Sequence, residues 1–436
     1  MNFYNGISFL GLWALIGVAW LFSEDRRNFN WRVVTFGVLL QILIALFIFT
    51  VPAGARVFLA VNDAVIHVMD SASAGARFMF GRLAISPGQS SGAGETSLGF
   101  ILAFQAFPTI IFFSSLMSVL YFFRILPWIV RAFAYVFTKL MKVSGAESLV
   151  TASNIFVGVE SALTIKPYLN TMTRSELCVV LTAGMATVAS NILALYIFSL
   201  KTYFPAIAGH LISASLLSAP AALIMAKVMV PESGVPETLG VHIKPQASED
   251  KSVFEAIING ANAGLKMIAG ISALLIAVLG LLALCDMGLV FLGEQIHALS
   301  GEAMNLSLKN ICGYVFYPFT LIMGVPPQDA WTVARIVGER LIVTEVVSYQ
   351  DLAAALARGE LHDPRSVVIA TYALCGFAHL ASMAIFVGGA AALAPTRTQD
   401  LTRVAFKALI AATLACMMTA CVAGTFFTGQ SVLFGK

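Results

Sequence analysis

Eight long apolar segments constrain this chain more than any other feature. The hydrocarbon core of a bilayer needs about 20 apolar residues for each spanning helix. Segments of about that length or longer lie at 5–22, 33–52, 101–122, 179–200, 207–229, 263–292, 366–393 and 408–429. Only 11% of the 436 residues are charged, against roughly 25% in an average soluble domain. The chain is therefore predicted to be an all-α polytopic membrane protein, embedded in the lipid bilayer.

Charge and cysteine usage exclude several other classes. The net charge of +3 is spread through the loops, and no basic block argues for binding to nucleic acid. The six cysteines include no CxxC pair, so we interpret them as small buried hydrophobic residues rather than metal ligands. The N-terminal segment lacks a basic region and a small-residue cleavage site, and we expect it to be a retained span. No cofactor is predicted.

Lysine and arginine near the ends of the spans predict the orientation. They gather in four loops, around 26–32, 124–174, 227–251 and 397–407. If these loops are cytoplasmic, both termini lie outside the cytoplasm, and we expect the protein in the inner (plasma) membrane of the cell. The segment 124–142 places basic residues beside aromatic ones, which is typical of an amphipathic helix on the membrane surface.

Two further segments are apolar but do not fit simple spans. Residues 149–169 contain Glu160, and residues 332–352 contain Glu345 among other charges. Both are predicted to be re-entrant hairpins, which occur where backbone lines a cavity. In the second hairpin we expect Arg335 and Arg340 to pair with Glu339 or to anchor the surface.

A short motif occurs twice, once after each hairpin. GMATVAS spans 184–190 and GFAHLAS spans 376–382, so that Thr187 corresponds to His379 and Ser190 to Ser382. By the loop count the two units have opposite orientations, which predicts an inverted repeat of the kind found in secondary transporters. Gly, Ala and Ser also allow plain close packing of helices. Carboxylates at membrane depth in both hairpins favour a functional site.

These features divide the chain into four parts. Residues 1–123 form N-terminal scaffold helices, and residues 124–230 hold the interfacial helix, the first hairpin and the first repeat unit. The Pro/Glu-rich segment 231–251 is a cytoplasmic linker. Residues 252–436 contain a long scaffold helix, the second hairpin, the second repeat unit and the last span.

Several long motifs resemble the concentrative nucleoside transporter family, in its bacterial nucleoside permease form. They are SGAESLVTASNIFVGVESALTIKPYLNTMTRSEL at 144–177, YPFTLIMGVP at 317–326, TEVVSYQDL at 344–352 and ATYALCGFAHLASMAIFVGGAAALAP at 370–395. The resemblance implies eight transmembrane helices, two opposed hairpins and a homotrimer with an elevator-like motion in each protomer. It implies symport of nucleosides with sodium or protons, and no enzymatic activity.

The resemblance also implies a substrate site and a cation site. In the substrate site Glu160 meets the nucleobase, Ile192 and Phe377 form apolar walls, and Glu345 accepts the ribose hydroxyls. Beside these, Val159 lies at the hairpin tip, and His379 and Ser382 contact the ribose. The implied cation site consists of Asn154, Val157, Thr187 and Val188. The coupling ion implied by the resemblance is Na⁺ or H⁺.

The sequence departs from the family pattern at three places. GVESAL at 158–163 is one residue shorter than the family's first hairpin tip and lacks its amide and its proline. We align Glu160 with the family glutamate, whereas an ungapped alignment from Asn154 would place Ser161 there. His379 and Thr344 each replace a family asparagine. Histidine can still bond a ribose, and it can also carry a proton.

Four functions remain open at this point. The first is a cation-coupled nucleoside symporter, and the second is a symporter of the same fold for a modified nucleoside or another ribosyl compound. The third is an intramembrane hydrolase that uses Glu160, Glu345 and His379. The fourth is a membrane receptor or assembly protein on this scaffold that transports nothing.

Overall fold

Helices make up the regular structure of the described chain. The structure, a computed structural model, describes residues 3–85, 96–188, 190–245, 250–300 and 306–428. Within these ranges no β-strand is formed, and an isolated β-bridge joins Ser144 and Leu239. The remaining regular backbone of these ranges forms seventeen α-helices and three 3₁₀ helices.

The N-terminal part contains six helices. They are α1 (Phe3–Leu21), α2 (Trp31–Thr50), α3 (Pro52–Phe80), α4 (Leu102–Gln105), α5 (Phe107–Phe122) and α6 (Ile125–Met141), with a 3₁₀ turn at Gly81–Ala84. The predicted spans and the interfacial segment 124–142 are all helical.

Helix α3 was not predicted from the sequence. Its mean hydropathy of 1.2 is the lowest among the helices long enough to cross a membrane. Its charged residues Arg56, Asp63, Asp70 and Arg77 recur every seven positions and therefore share one face. This pattern is typical of an amphipathic helix at the membrane surface, and it hid α3 from a search for uninterrupted apolar runs.

The first repeat unit follows α6. It contains α7 (Gly145–Asn154), a 3₁₀ helix (Val159–Tyr168), α8 (Arg174–Ala186), α9 (Ser190–Leu200) and α10 (Ile207–Met229). Helix α7 and the 3₁₀ helix are the two limbs of the first hairpin. Ser144 and Thr173 begin α7 and α8 with capping boxes, in which each hydroxyl accepts the N–H of a glutamate three residues later.

The second unit follows the linker. It contains α11 (Val253–Ser300), α12 (Leu308–Ile322), α13 (Pro327–Glu339), α14 (Glu345–Ala357), α15 (Pro364–Leu374), α16 (Leu380–Leu393), a 3₁₀ turn (Pro395–Arg397) and α17 (Thr398–Phe426). Helices α13 and α14 form the second hairpin. The α8–α9 and α15–α16 pairs are each one span interrupted inside a copy of the repeated motif, which confirms the predicted inverted repeat with two opposed hairpins.

The hydrophobic core lies around α10 and α17. In the most apolar stretch of each helix, 89% of the residues of α10 and 83% of those of α17 are buried. Both helices pack against α8. In helix α11, by contrast, 6% of the residues in the most apolar stretch are buried, and the helix packs along α5. The described chain thus combines a buried bundle that carries the hairpins with a long apolar helix whose surface faces outward.

Candidate functional site

The glycine of each motif copy lies where another helix packs tightly against its backbone. A Cβ added at Gly376 would overlap the Cys416 sulfur and lie 3.0 Å from the Ala186 carbonyl oxygen, one residue before the break in the first copy. A Cβ added at Gly184 would overlap the ring of Phe386 in α16. Gly376 is therefore required mainly because Cys416 of α17 approaches its backbone, and Gly184 is required because Phe386 of α16 does. Close packing explains the glycines, and the polar residues of the two motifs need a separate account.

Glu345 is the centre of the polar site. It is the first residue of α14 and is 1% exposed. Its Oε1 accepts a hydrogen bond of 2.6 Å from the Tyr196 hydroxyl, and its Oε2 lies 2.9 Å from His379 Nε2. The positive end of the α14 dipole also favours a negative charge here. The carboxylate is thereby held in one orientation.

His379 is fixed by the helix that it begins. Its Nδ1 accepts the Ser382 N–H at 3.2 Å, and the Ser382 hydroxyl accepts the His379 N–H at 3.1 Å, so the two residues form a capping box at the start of α16. Because Nδ1 is an acceptor, we assign the ring proton to Nε2, which faces Glu345. A doubly protonated imidazole would lose this cap.

Two polar atoms of this pair retain bonding capacity. Although Nε2 of His379 and Oε2 of Glu345 are 2.9 Å apart, neither has a hydrogen bond of good geometry within the described part of the chain. Buried polar atoms are normally hydrogen-bonded. The arrangement thus leaves one donor and one acceptor side by side, which suits a hydroxyl that can accept from one and donate to the other.

A small cavity opens beside these atoms. Its volume is about 40 Å³, and its walls come from α11, from the start of α14, and from the interrupted span at Phe377 and His379. Sites for drug-sized ligands usually measure about 300 to 1,000 Å³. The cavity as it stands is therefore too small to hold a whole nucleoside.

The structure places the other predicted substrate residues as follows. Phe377 lines the cavity, and Ile192 is buried in α9 one turn before Tyr196. The Ser382 hydroxyl donates to the carbonyls of Phe377 and His379, so it supports the break in the helix. The side chains of Val159 and Glu160 lie outside the described part, as does that of Ser190.

The predicted cation residues lie at the ends of two helices. Asn154 is the last residue of α7, Val157 follows in the turn, and Thr187 and Val188 come directly after α8. Helices α7 and α8 pack against each other, and the carbonyl end of a helix carries a partial negative charge. The Thr187 hydroxyl donates to the Ala183 carbonyl at 2.8 Å, which leaves its lone pairs for a ligand. Such oxygen donors fit a hard cation.

Three features of this region were not predicted from the sequence. Tyr196 donates to Glu345 and stacks on Tyr349, with 4.6 Å between the ring centroids. It belongs to none of the motifs found in the sequence. The signal that the sequence offered for Tyr196 was its position four residues after Ile192, on the same face of a helix. Ser161 donates to Asn154 Oδ1 at 2.9 Å, so the hairpin tip closes on the predicted cation site.

The third concerns the arginines of the second hairpin. The expected pairing with Glu339 is wrong, because Glu339 pairs with Lys309 at 2.6 Å. Arg340 is no surface anchor either, since it is fully buried and its Nη1 donates to the Ala373 carbonyl at 2.5 Å. The hairpin tip folds inward and carries the Arg340 side chain away from Glu339. The proximity of the two charges in the sequence does not reveal this.

Comparison with known proteins identifies the family. Three family profiles cover most of the chain, described as "Na+ dependent nucleoside transporter N-terminus" at 10–83, "Nucleoside recognition" at 103–203 and "Na+ dependent nucleoside transporter C-terminus" at 210–424. The nucleoside permease NupC of Helicobacter pylori is 34% identical over 98% of this chain and 99% of its own length.

Longer and solved relatives agree with this result. Solute carrier family 28 member 3 of Rattus norvegicus is 37% identical over 96% of this chain, which spans 58% of that longer protein. The structure of CNTnw in an inward-facing substrate-bound state has 31% identity and a TM-score of 0.85, with 98% of both chains covered. On this sequence and structural agreement, the chain belongs to the Na⁺-dependent nucleoside transporter family.

Proposed function

We propose that this protein imports nucleosides across the plasma membrane by symport with a cation. The observation that carries the proposal is the buried carboxylate of Glu345, held by Tyr196 and beside the Nε2 of His379. Vicinal ribose hydroxyls donate well to an ionised carboxylate, in short charge-assisted bonds. A hydroxyl at this place also accepts from Nε2 of His379, so both unpartnered atoms of the pair are used.

We infer that the coupling cation is sodium. The ends of α7 and α8 offer oxygen donors at Asn154, Val157, Thr187 and Val188 together with two helix carbonyl ends, and no ring proton needs to move for a cation to bind there. His379 is an unsuitable proton carrier in this arrangement, because protonation of Nδ1 would displace the Ser382 N–H. The ion would supply the energy of its gradient, and the residues named here would hold it.

The walls of the cavity suggest how transport proceeds. One wall is the long helix α11, whereas the others belong to the hairpin and the interrupted span. Sliding of the hairpin-bearing bundle past α11 would open this boundary on either side of the membrane. The outward apolar surface of α11 supports assembly into a homotrimer, in which this helix meets other protomers.

Binding to purified protein tests the proposal. We expect a nucleoside to raise the thermal unfolding temperature in sodium, and to do so much less when choline replaces sodium. A 2′,3′-dideoxynucleoside is the matched control, because it keeps the base and lacks the two hydroxyls. Equal stabilisation by both compounds would contradict the ribose site, and equal stabilisation in sodium and choline would contradict coupling.

A further inference from the structure

The tip of the second hairpin carries a buried positive charge. Arg340 directly follows α13 and is fully buried. Its Nη1 donates to the Ala373 carbonyl at 2.5 Å, whereas its Nε and Nη2 have no hydrogen-bond partner among the described residues. The carboxylates nearest to it in the sequence, Glu339 and Glu345, lie against other partners. Burial of an unpaired charge is costly, so this arginine needs an account beyond packing.

The end of a helix supplies the opposite charge. Ala373 is the next-to-last residue of α15, so the guanidinium of Arg340 lies at the carbonyl end of this helix. That end carries a partial negative charge of about half an elementary charge. The second hairpin provides another donor here, because the Tyr349 hydroxyl donates to the Thr371 carbonyl at 2.9 Å. The second hairpin therefore closes the end of α15 with one neutral hydroxyl and one cation.

The predicted cation site has the corresponding position in the first repeat unit. In each unit one limb of the hairpin, α7 or α13, packs against the first half of an interrupted span, α8 or α15. The last turn of α8 accepts the Thr187 hydroxyl at Ala183 and the Cys416 thiol at Ala186, and both donors are neutral. The tip of the first hairpin at 155–158 reads IFVG and contains no basic residue. The first unit thus has a vacancy for a mobile cation where the second has its arginine.

We propose that Arg340 is a tethered cation, which takes in the second unit the place that the coupling cation takes in the first. This proposal rests on the proposed cation-coupled function. A mobile cation at the end of α8 and a fixed guanidinium at the end of α15 then balance the two helix ends in the same way. Because the guanidinium never leaves, the second unit binds no ion, and one cation accompanies each nucleoside.

Arg340 acts on the substrate site through the backbone. It holds the end of α15, and the break that follows carries Phe377 and His379, which line the cavity beside Glu345. Arg340 is therefore a positioning residue. Loss of its charge leaves the end of α15 uncompensated and shifts the break.

Three variants separate the charge of Arg340 from its packing. Arg340→Lys keeps the charge, Arg340→Met keeps a long side chain without charge, and Arg340→Ala leaves a space that a guanidinium ion can fill. Arg340→Met is expected to fold, since buried charges often tolerate replacement by apolar side chains of similar volume. We expect sodium-driven nucleoside uptake within about threefold of the wild type for Arg340→Lys, and a loss of about tenfold or more for the two neutral variants.

Wild-type uptake by Arg340→Met would overturn the proposal, because a neutral side chain would then suffice. A loss in Arg340→Lys as large as that in Arg340→Met would overturn it as well, because the charge would then not be what matters.

Added guanidinium gives a second readout. We expect guanidinium chloride, at concentrations far below those that denature the protein, to raise uptake by Arg340→Ala about fivefold or more. Arg340→Met should gain nothing, because its side chain fills the space, and potassium chloride is the salt control. Arg358→Ala is the matched control, since it removes an exposed arginine directly after α14. It should behave like the wild type with and without guanidinium. Folded Arg340→Ala that guanidinium does not rescue would overturn the proposal.

Ion counting in the wild type separates this proposal from the function on which it rests. Entry of labelled sodium and of labelled nucleoside is measured in the same proteoliposomes, and we expect equal amounts of the two. Two sodium ions for each nucleoside would overturn the role of Arg340 and leave symport intact. Nucleoside uptake that needs no cation gradient would overturn the coupled function, and the tethered cation with it.

Discussion

Replacement of Glu345 by glutamine should disable the site with little change in shape. In the wild type, Tyr196 donates to one oxygen of the Glu345 carboxylate, and His379 Nε2 lies beside the other oxygen. The glutamine amide has instead one oxygen and one NH₂ group. If the NH₂ faces His379, two donors meet, and the ring cannot shift its proton to Nδ1 without losing the Ser382 N–H. The amide oxygen must therefore face His379, and the NH₂ must face Tyr196. The group presented to the ribose is then neutral.

The size of the effect follows from the hydrogen bonds to the ribose. A bond to a charged group contributes about 1.5 to 3 kcal/mol and a neutral one about 0.5 to 1.5 kcal/mol, so two weakened bonds lose about 2 to 3 kcal/mol. At 1.36 kcal/mol per factor of ten, nucleoside affinity should fall about 30- to 160-fold.

Equilibrium binding and the initial rate of labelled nucleoside uptake measure this loss. Glu360→Gln is the matched control, because Glu360 is exposed and lies beyond α14, where it pairs with Arg358. It should behave like the wild type. Binding and uptake within threefold of the wild type for Glu345→Gln would refute the assignment of this carboxylate to the ribose.

Three other changes test the surroundings of the site. His379→Asn keeps a neutral side chain and a good helix cap, so uptake should persist with the same sodium dependence, and a selective loss of proton-driven uptake would show that the histidine carries the proton. Tyr196→Phe removes one charged hydrogen bond and should weaken nucleoside binding about tenfold, which titration would show. An unchanged dissociation constant would mean that Tyr196 does not position Glu345. Gly376→Ala should lower the free energy of unfolding by about 1 to 3 kcal/mol through overpacking, and adding Cys416→Ala should restore part of it. The absence of any rescue in thermal unfolding would contradict the close approach of Cys416 described for this glycine.

Much of the architecture could be predicted because it depends on local patterns. Uninterrupted apolar runs mark α1, α2, α10 and α17, and the repeated motif marks the two interruptions, which follow Ala186 and Leu374. Amphipathic α3 escaped because its hydropathy is diluted by charges at heptad spacing.

The contacts within the site depend on packing between distant segments. Tyr196 and Glu345 are 149 residues apart, and nothing in the local sequence of either one identifies the other. The His379–Ser382 capping box is local, but its role in fixing the imidazole proton appears only once Glu345 lies opposite Nε2. Arg340 shows the same limit, since its partner is a carbonyl 33 residues away and not the adjacent glutamate.

Concentrative uptake by reconstituted protein tests the central claim most directly. Purified protein is placed in proteoliposomes, and a labelled nucleoside is supplied at equal concentration on both sides with an inward sodium gradient, an inward proton gradient, or none. We predict accumulation well above the external concentration with the sodium gradient, collapse of that accumulation when a sodium ionophore is added, and no accumulation in Glu345→Gln. A nucleoside concentration inside that never exceeds the outside under either gradient would contradict the proposal that this protein is a cation-coupled nucleoside importer.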